Sequence, residues 1–325
     1  KAMMGTLPGG LAYVNIFACM LFGAISGSAV AATSAIGSFM IPEMNREGYD
    51  KNFSASVNAT SATTGLLIPP SNILIVYSLA SGSVSVAALF IAGYLPGILT
   101  GVLLMFVAGA ISVAKKYRGA ARVSFIEFVK RFFDSLLSLL LVFIVIGGIV
   151  GGIFTATEAA AIAVIYSFLL AVVVYREVKI KDLPNILKNT ITTNAVVMFL
   201  IGASMALSWL LSYENIPQTI SAALISMTDN KIIILLIINV LLLVVGTFMD
   251  ATPAVLIFTP IFLPVVVQLG VDPLHFGILM ILNLCIGIVT PPVGAVLFVG
   301  CAVADTKITY IIKWLLPFFA AMILS

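Results

Sequence analysis

Of the chain's 325 residues, 62% are apolar and 9% are charged. Soluble domains run at about 45–50% and about 25%, so a water-soluble globular fold is excluded and the composition is that of an integral membrane protein. A net charge of +3 gives no reason to expect nucleic acid as a partner. The sequence has no Ser-His-acid arrangement, no metal-spaced His/Cys/acid cluster and no phosphate-binding Gly-Lys loop, so it offers no enzyme chemistry.

In chain order, residues 2–42 and 52–114 contain no Asp, Glu, Lys or Arg. Each stretch exceeds the ~20 residues that span a bilayer core. Residues 27–44 carry Gly27, Gly37 and Pro42, which interrupt a straight helix, so a re-entrant helical hairpin is expected there. A helix broken at Pro69-Pro70 follows over residues 53–80, and residues 84–113 make one crossing. Residues 114–133 read as a basic loop and an interfacial helix beginning at Ser124. Scaffold helices are expected over 134–230, as a hairpin of 136–153 with 156–174 followed by 189–211 and 216–227. A second hairpin over 246–266, interrupted by Pro253, Pro260 and Pro264, and a second broken helix over 274–304 come last.

Basic residues gather at Lys115, Lys116, Arg118, Arg122, Lys130 and Arg131, and again at Arg176, Lys179, Lys181 and Lys188. Such loops stay cytoplasmic, which fixes the orientation. No cleavable signal peptide is expected, and the opening at Lys1 and the close inside an apolar run predict further sequence at both ends. Cys19, Cys285 and Cys301 lie in hydrophobic runs without ligand spacing and read as packed thiols.

Pro42, Gly48, Asp50, Gly65, Pro69 and Pro70 return as Pro264, Gly270, Asp272, Gly287, Pro291 and Pro292, each 222 positions later without a gap. What recurs is the set of residues that dictates backbone shape. Residues 1–113 therefore form a first repeat and residues 134–325 a second. With the basic loops inside, the two copies enter the membrane from opposite faces, so the repeat is inverted. Interrupted hydrophobic segments at matching positions of two halves point to the binding site of a secondary transporter. With no nucleotide site, an ion gradient must supply the driving force.

Proline cannot donate a backbone hydrogen bond, so carbonyls a turn before each Pro-Pro pair need a cation or another donor. Ser26, Ser28, Thr33 and Ser34 on the first hairpin add neutral oxygens, a shell suited to Na⁺. At the second break Thr290 replaces Ile68, and the hairpin supplies Gly246, Thr247, Asp250 and Thr252. The same hydroxyls could equally serve close helix packing. Asp250, the only charged residue between Lys231 and Asp272, is either a functional acid inside the membrane or the cap of the next helix at the hairpin's mouth. Glu158 reads as half of a capping box with Thr155, and His275 as a structural residue at a helix start. No Arg or Lys lies in these segments, so an anionic substrate would be held by hydroxyls and helix starts, for which Thr33, Ser34, Ser71, Thr252 and Gly294 are the candidates.

The run Gly23-Ala24-Ile25-Ser26-Gly27-Ser28, the segments Ile41-Pro42-Glu43-Met44 and Ile68-Pro69-Pro70-Ser71, the stretch from Phe154 to Ala160, Pro260-Ile261-Phe262-Leu263-Pro264, Asp272-Pro273-Leu274-His275-Phe276-Gly277 and Thr290-Pro291-Pro292-Val293-Gly294 occur in one order. Together they resemble the large membrane subunit of tripartite ATP-independent periplasmic (TRAP) transporters over essentially the whole chain. The family's protein continues at both ends, with N-terminal helices that would complete the first repeat.

The resemblance implies an all-α, elevator-type symporter in the bacterial inner membrane, in which hairpins and broken helices move together against a scaffold. It implies a periplasmic substrate-binding protein and a small four-helix membrane subunit as partners. The implied substrates are organic acids such as sialic acid or C4-dicarboxylates, moved with Na⁺. By position, one Na⁺ site would fall on Ser26, Gly27, Ser28, Gly65, Ile68 and Pro70, and a second on Gly246, Asp250, Gly287, Thr290 and Pro292. The alternative is a symporter or ion antiporter of the same superfamily that needs no binding protein.

Overall fold

The computed structural model describes residues 7–117, 125–227 and 230–325, and every regular element among them is helical. In order they are α1 (Gly10–Ser26), α2 (Ala29–Arg46), α3 (Lys51–Thr64), α4 (Asn72–Ser81), α5 (Val86–Ala114), α6 (Phe125–Val150), α7 (Ala156–Phe168), α8 (Leu183–Tyr213), α9 (Ile216–Met227), α10 (Lys231–Phe248), α11 (Ala251–Gln268), α12 (Pro273–Gly287), α13 (Ala295–Val303) and α14 (Ile308–Leu324). α7 continues as a π-helical turn over Leu169–Val174. Five described spans are long and apolar enough to cross a bilayer: Val86–Ala114, Thr157–Val174, Ile180–Tyr213, Lys231–Phe248 and Ala251–Gln268.

Side chains at the helix ends set where these elements begin. Asp50 and Asp272, 222 positions apart, each take two orphan N–H groups: Asp50 Oδ1 accepts from Asn52 and Phe53 at 2.8 and 3.2 Å, and Asp272 Oδ1 from Leu274 and His275 at 2.8 and 3.2 Å. Ser28 caps α2 and Asn230 caps α10. Thr155 and Glu158 form the full reciprocal box at the start of α7.

The structure moves several expected boundaries. Residues 27–44 and 246–266 are not hairpins in themselves. Each is the second arm of one, the first arms being α1 and α10, with the turns at Gly27-Ser28 and Met249-Asp250. α2 runs on through Pro42, and α11 through Pro260 and Pro264. A proline deletes one hydrogen bond, which packed membrane helices tolerate when neighbours re-satisfy the freed groups. Pro253 lies in the first turn of α11, where an N–H would have no partner in any case. Among the described residues there is no separate interfacial helix: α6 is continuous from Phe125 to Val150. Ser124, Arg118 and Arg122 lie outside the described residues. The two broken helices are found as expected, with breaks between α3 and α4 and between α12 and α13.

The chain divides into two compact units, residues 1–128 with 217–325, and Val129–Ile216. In the second unit, Tyr166 on α7 donates its hydroxyl hydrogen to the Leu137 carbonyl of α6 at 2.7 Å, and the Ser138 and Tyr175 hydroxyls lie 3.2 Å apart.

The first unit is built around α3, whose residues from Phe53 to Thr64 are all buried. α3 packs against α1, α2, α5, α13 and α14. Such crowding needs small side chains, and Ser, Thr and Ala supply them without stranding polar atoms. Ser54, Ser56, Thr60 and Thr63 donate to carbonyls three or four residues back at 2.8–3.0 Å, Thr64 donates to Ser61 at 2.6 Å, and Ser61 donates to Val57. At one end of α3, Phe53 meets the rings of Tyr49, Tyr117, Trp314 and Phe318 at centroid distances of 5.5–6.3 Å. The Tyr117 hydroxyl oxygen accepts the Asp50 N–H at 3.1 Å, Lys115 Nζ sits 5.4 Å over the Trp314 ring, and Lys51 pairs with Asp305 at 3.4 Å.

The two halves of this unit interlock. α4 packs on α11 and α12, while α13 packs on α2 and α3. Tyr77 of α4, fully buried, donates its hydroxyl hydrogen to the Pro273 carbonyl at 2.6 Å, and its ring fills the space that Gly277 leaves. A Cβ at Gly277 would lie 2.2 Å from that ring. Gly277→Ala is accordingly expected to cost about 1–3 kcal/mol as overpacking, read as a lowered unfolding temperature of the purified protein in detergent. An unchanged unfolding temperature would contradict the contact.

Candidate functional site

Each hairpin turn meets its broken helix through glycine. α1 and α3 converge until a Cβ on Gly23 would lie 2.7 Å from the Gly65 Cα, and α10 and α12 until one on Gly246 would lie 2.9 Å from the Gly287 Cα. Any side chain there would drive the helix ends apart. Gly27, at φ 62°, turns the chain from α1 into α2 and lies against Asn72 at the start of α4, where a Cβ would come within 2.9 Å of the Asn72 Cβ. The second hairpin is fastened to its break by a backbone bond, the Gly294 N–H donating to the Thr247 carbonyl at 3.0 Å. Gly294 has φ 52°, and a Cβ there would lie 2.9 Å from the Thr290 carbonyl oxygen.

At the first break α3 tightens into a turn, with Leu66 N–H donating to Thr63 and Leu67 and Ile68 N–H to Thr64 at 3.0–3.2 Å. The Pro69-Pro70 bond is cis, as is Pro291-Pro292. At the second break Ile288 N–H donates to Leu284 at 2.9 Å, Thr290 N–H to Gly287 at 2.8 Å, and the Thr290 hydroxyl to Ile286 at 2.7 Å. Val296 N–H reaches back from α13 to the Ile288 carbonyl at 3.1 Å. The carbonyls of Ile68 and Pro70, and of Thr290 and Pro292, accept no hydrogen bond from any described residue. Ile68, Pro70 and Thr290 are half-buried and Pro292 is exposed.

Oxygen is therefore the donor type on offer, and it suits a hard cation such as Na⁺. Among the described residues no three His, Cys, Asp or Glu gather as a metal-binding group. Of the first expected set, Ser26, Gly27 and Ser28 lie in the hairpin turn, and Gly65, Ile68 and Pro70 lie at the first break. The Ser26 hydroxyl donates to the Ser28 carbonyl at 3.3 Å, and the Ser28 hydroxyl accepts from Ala31 N–H at 3.2 Å. Of the second expected set, Gly246 meets Gly287 where α10 crosses α12, Thr290 and Pro292 lie at the second break, and Asp250 lies in the hairpin turn. Asp250 stands at the N-cap position of α11, yet its side chain makes no cap hydrogen bond and is exposed. Of the two expected roles, the capping bond is absent. The Thr290 hydroxyl, having given its hydrogen to Ile286, keeps lone pairs for a cation.

The five candidate substrate residues divide. Thr33 is fully buried and donates to Ala29 at 2.8 Å, and Ser71 is fully buried and donates to Leu66, replacing the donor that the prolines removed. Both hydroxyls are engaged in the packing. Ser34 is exposed, Thr252 is half-buried, and Gly294 opens α13. Glu158 is confirmed as a capping residue, and His275 exposes its ring while its N–H is held by Asp272. The three cysteines are buried and free.

Sequence reasoning passed over Asn58. It is fully buried on α3, where its amide donates to the Thr33 carbonyl at 2.8 Å. It also missed the pair in which Asn283 of α12 donates to Asn239 of α10 at 2.7 Å. The available signal was an amide inside a hydrophobic or small-residue run, where burial demands a partner.

The sequence profile of the family described as "Tripartite ATP-independent periplasmic transporter, DctM component" matches residues 1–325. An uncharacterized protein YgiK of Salmonella typhimurium is 55% identical over 99% of this chain and 74% of its own length. The C4-dicarboxylate TRAP transporter large permease protein DctM of Pseudomonas aeruginosa is 40% identical over 99% and 75%. The sialic acid TRAP transporter large permease protein SiaM of Vibrio cholerae is 38% identical over 98% and 74%. With its run of long apolar helices and its two Pro-Pro-broken helices in matching register, the chain belongs to the large permease family of TRAP transporters, multi-pass transport proteins of the bacterial inner membrane.

Proposed function

We propose that this chain carries an organic acid across the inner membrane in symport with Na⁺. It would take the solute from a periplasmic binding protein and be braced by a small membrane subunit. The observation that carries the reading is the pair of hairpin turns, each meeting a helix break whose carbonyls lack donors, at positions 222 residues apart. Two such oxygen-lined turns offer two cation sites, one in each copy. The tripartite family supports dependence on a binding protein over a self-sufficient symporter or antiporter.

Orientation follows from charge. Lys115 and Lys116 end α5, and Arg176, Lys179 and Lys181 lie between α7 and α8. With these in the cytoplasm the two hairpins enter from opposite faces, an inverted repeat whose breaks approach the midplane. The interlocked hairpins and broken helices would then move as one body while the long flanking helices stay fixed, an elevator motion. Ser34, Thr252, the N-terminus of α13 at Gly294 and the matching N-terminus of α4 would face the substrate. Helix N-termini favour anions, and the relatives named for C4-dicarboxylates and sialic acid support a carboxylated solute.

Uptake into proteoliposomes holding the complete transporter is expected to need both the binding protein and Na⁺. Equal uptake with choline in place of Na⁺, or with the binding protein left out, would overturn the reading.

At the second break, Thr290→Val keeps the branched shape and deletes the hydroxyl. Loss of one neutral ligand, about 0.5–1.5 kcal/mol, should raise the half-saturating Na⁺ concentration several-fold. Thr190→Val on α8 removes the same kind of intrahelical bond, Thr190 to Ile186 at 2.8 Å, and serves as the control. If both variants keep wild-type Na⁺ dependence, the Thr290 hydroxyl is packing alone.

A further inference from the structure

We propose that Asn58 is a positioning residue for the first cation site, acting through the hairpin that carries Ser26, Gly27 and Ser28. The inference rests on the Na⁺-coupled reading given above and adds to it a residue that touches no ligand.

Asn58 is a buried side chain that bonds the second arm of the first hairpin to the first broken helix. Its Nδ2 donates to the Thr33 carbonyl of α2 at 2.8 Å, while its Oδ1 lies 3.6 Å from the Cys19 thiol of α1. Asn15 Oδ1, one turn earlier on α1, is the alternative acceptor for the same S–H, at 3.4 Å. Gly37 leaves the room: a Cβ there would lie 2.5 Å from Asn58 Nδ2. Asn58 thus stands about two turns before the break on α3, and Thr33 about one turn after the tip on α2. A directional bond at that level fixes the height of the hairpin tip against Gly65 and Ile68.

The matching seam of the second copy is built differently. Gly37 and Asn58 correspond, 222 positions on, to Thr259 and Met280, and there the Thr259 hydroxyl meets the Met280 sulfur at 3.5 Å. Both seams are buried and closely filled, one by a small residue beside an amide and the other by a hydroxyl beside a thioether. The second arrangement fills space with a soft, adaptable side chain and makes no amide bond across to the hairpin backbone. Packing alone therefore does not require an amide at this position. What Asn58 adds is the bond to Thr33, which holds the first tip in register.

The second copy also supplies the test. Gly37→Thr alone pushes into Asn58, and Asn58→Met alone pushes into the seam, but Gly37→Thr/Asn58→Met together rebuild in the first copy the seam that the second copy uses. The double variant should fold and reach the membrane, with the substrate KM at saturating Na⁺ near wild type. Its half-saturating Na⁺ concentration should rise by about 2- to 10-fold, the equivalent of one buried neutral hydrogen bond. Asn58→Ala, smaller on every side, should shift Na⁺ dependence the same way and provides the reading if the double variant is not recovered. Cys19→Ala, which leaves the bond to Thr33 in place, should leave Na⁺ dependence unchanged. Wild-type Na⁺ dependence in a folded double variant or in Asn58→Ala would overturn the inference and assign Asn58 to packing. If the wild-type protein itself transports equally in choline, it is the Na⁺-coupled reading that fails.

Discussion

A glycine laid against a glycine holds each hairpin to its broken helix, and the candidate sites depend on that closeness. At Gly246 and Gly287 the backbones approach until neither residue could carry a methyl group, and Gly23 with Gly65 makes the same kind of contact at the first hairpin. Backbone oxygens freed by a Pro-Pro pair become ligands only if a second element is near enough to complete their shell. The glycine crossings bring that element within reach, and the cap residues Ser28, Asp50 and Asp272 start the helices at the places that make the crossings possible.

The hydroxyl-rich stretch of α3 serves a different purpose from the breaks. Inside the helix, Ser and Thr give their hydrogens back to their own backbone, which lets other helices crowd around α3 without stranding its hydroxyls. At the breaks the balance reverses. Ser71 and Thr290 each quiet one carbonyl, and others remain without a donor. Hydroxyl content therefore says little about where a cation would sit, and the register of the prolines says much more.

This contrast explains what could be read from the sequence. The two broken helices were legible because Pro-Pro leaves no alternative, and the matching positions were legible because shape-determining residues recur at one spacing. The hairpin arms were misplaced because Pro42, Pro260 and Pro264 read as breaks by local rules, whereas packed membrane helices continue through them. The turns at Gly27-Ser28 and Met249-Asp250 were harder to place, since only one of them carries a glycine. Thr33 and Ser71 looked like substrate contacts because burial is a tertiary property, and both proved fully enclosed. Asn58 and Tyr77 went unnoticed for the same reason: their partners lie 25 and 196 residues away.

The central claim is that each hairpin and break together form a site for one cation. Equilibrium binding of radioactive Na⁺ to the purified protein in choline buffer measures this directly. The account predicts saturable binding that approaches one ion for each of the two breaks and is displaced by unlabelled Na⁺. Binding that never saturates, or none above a control membrane protein, would contradict it.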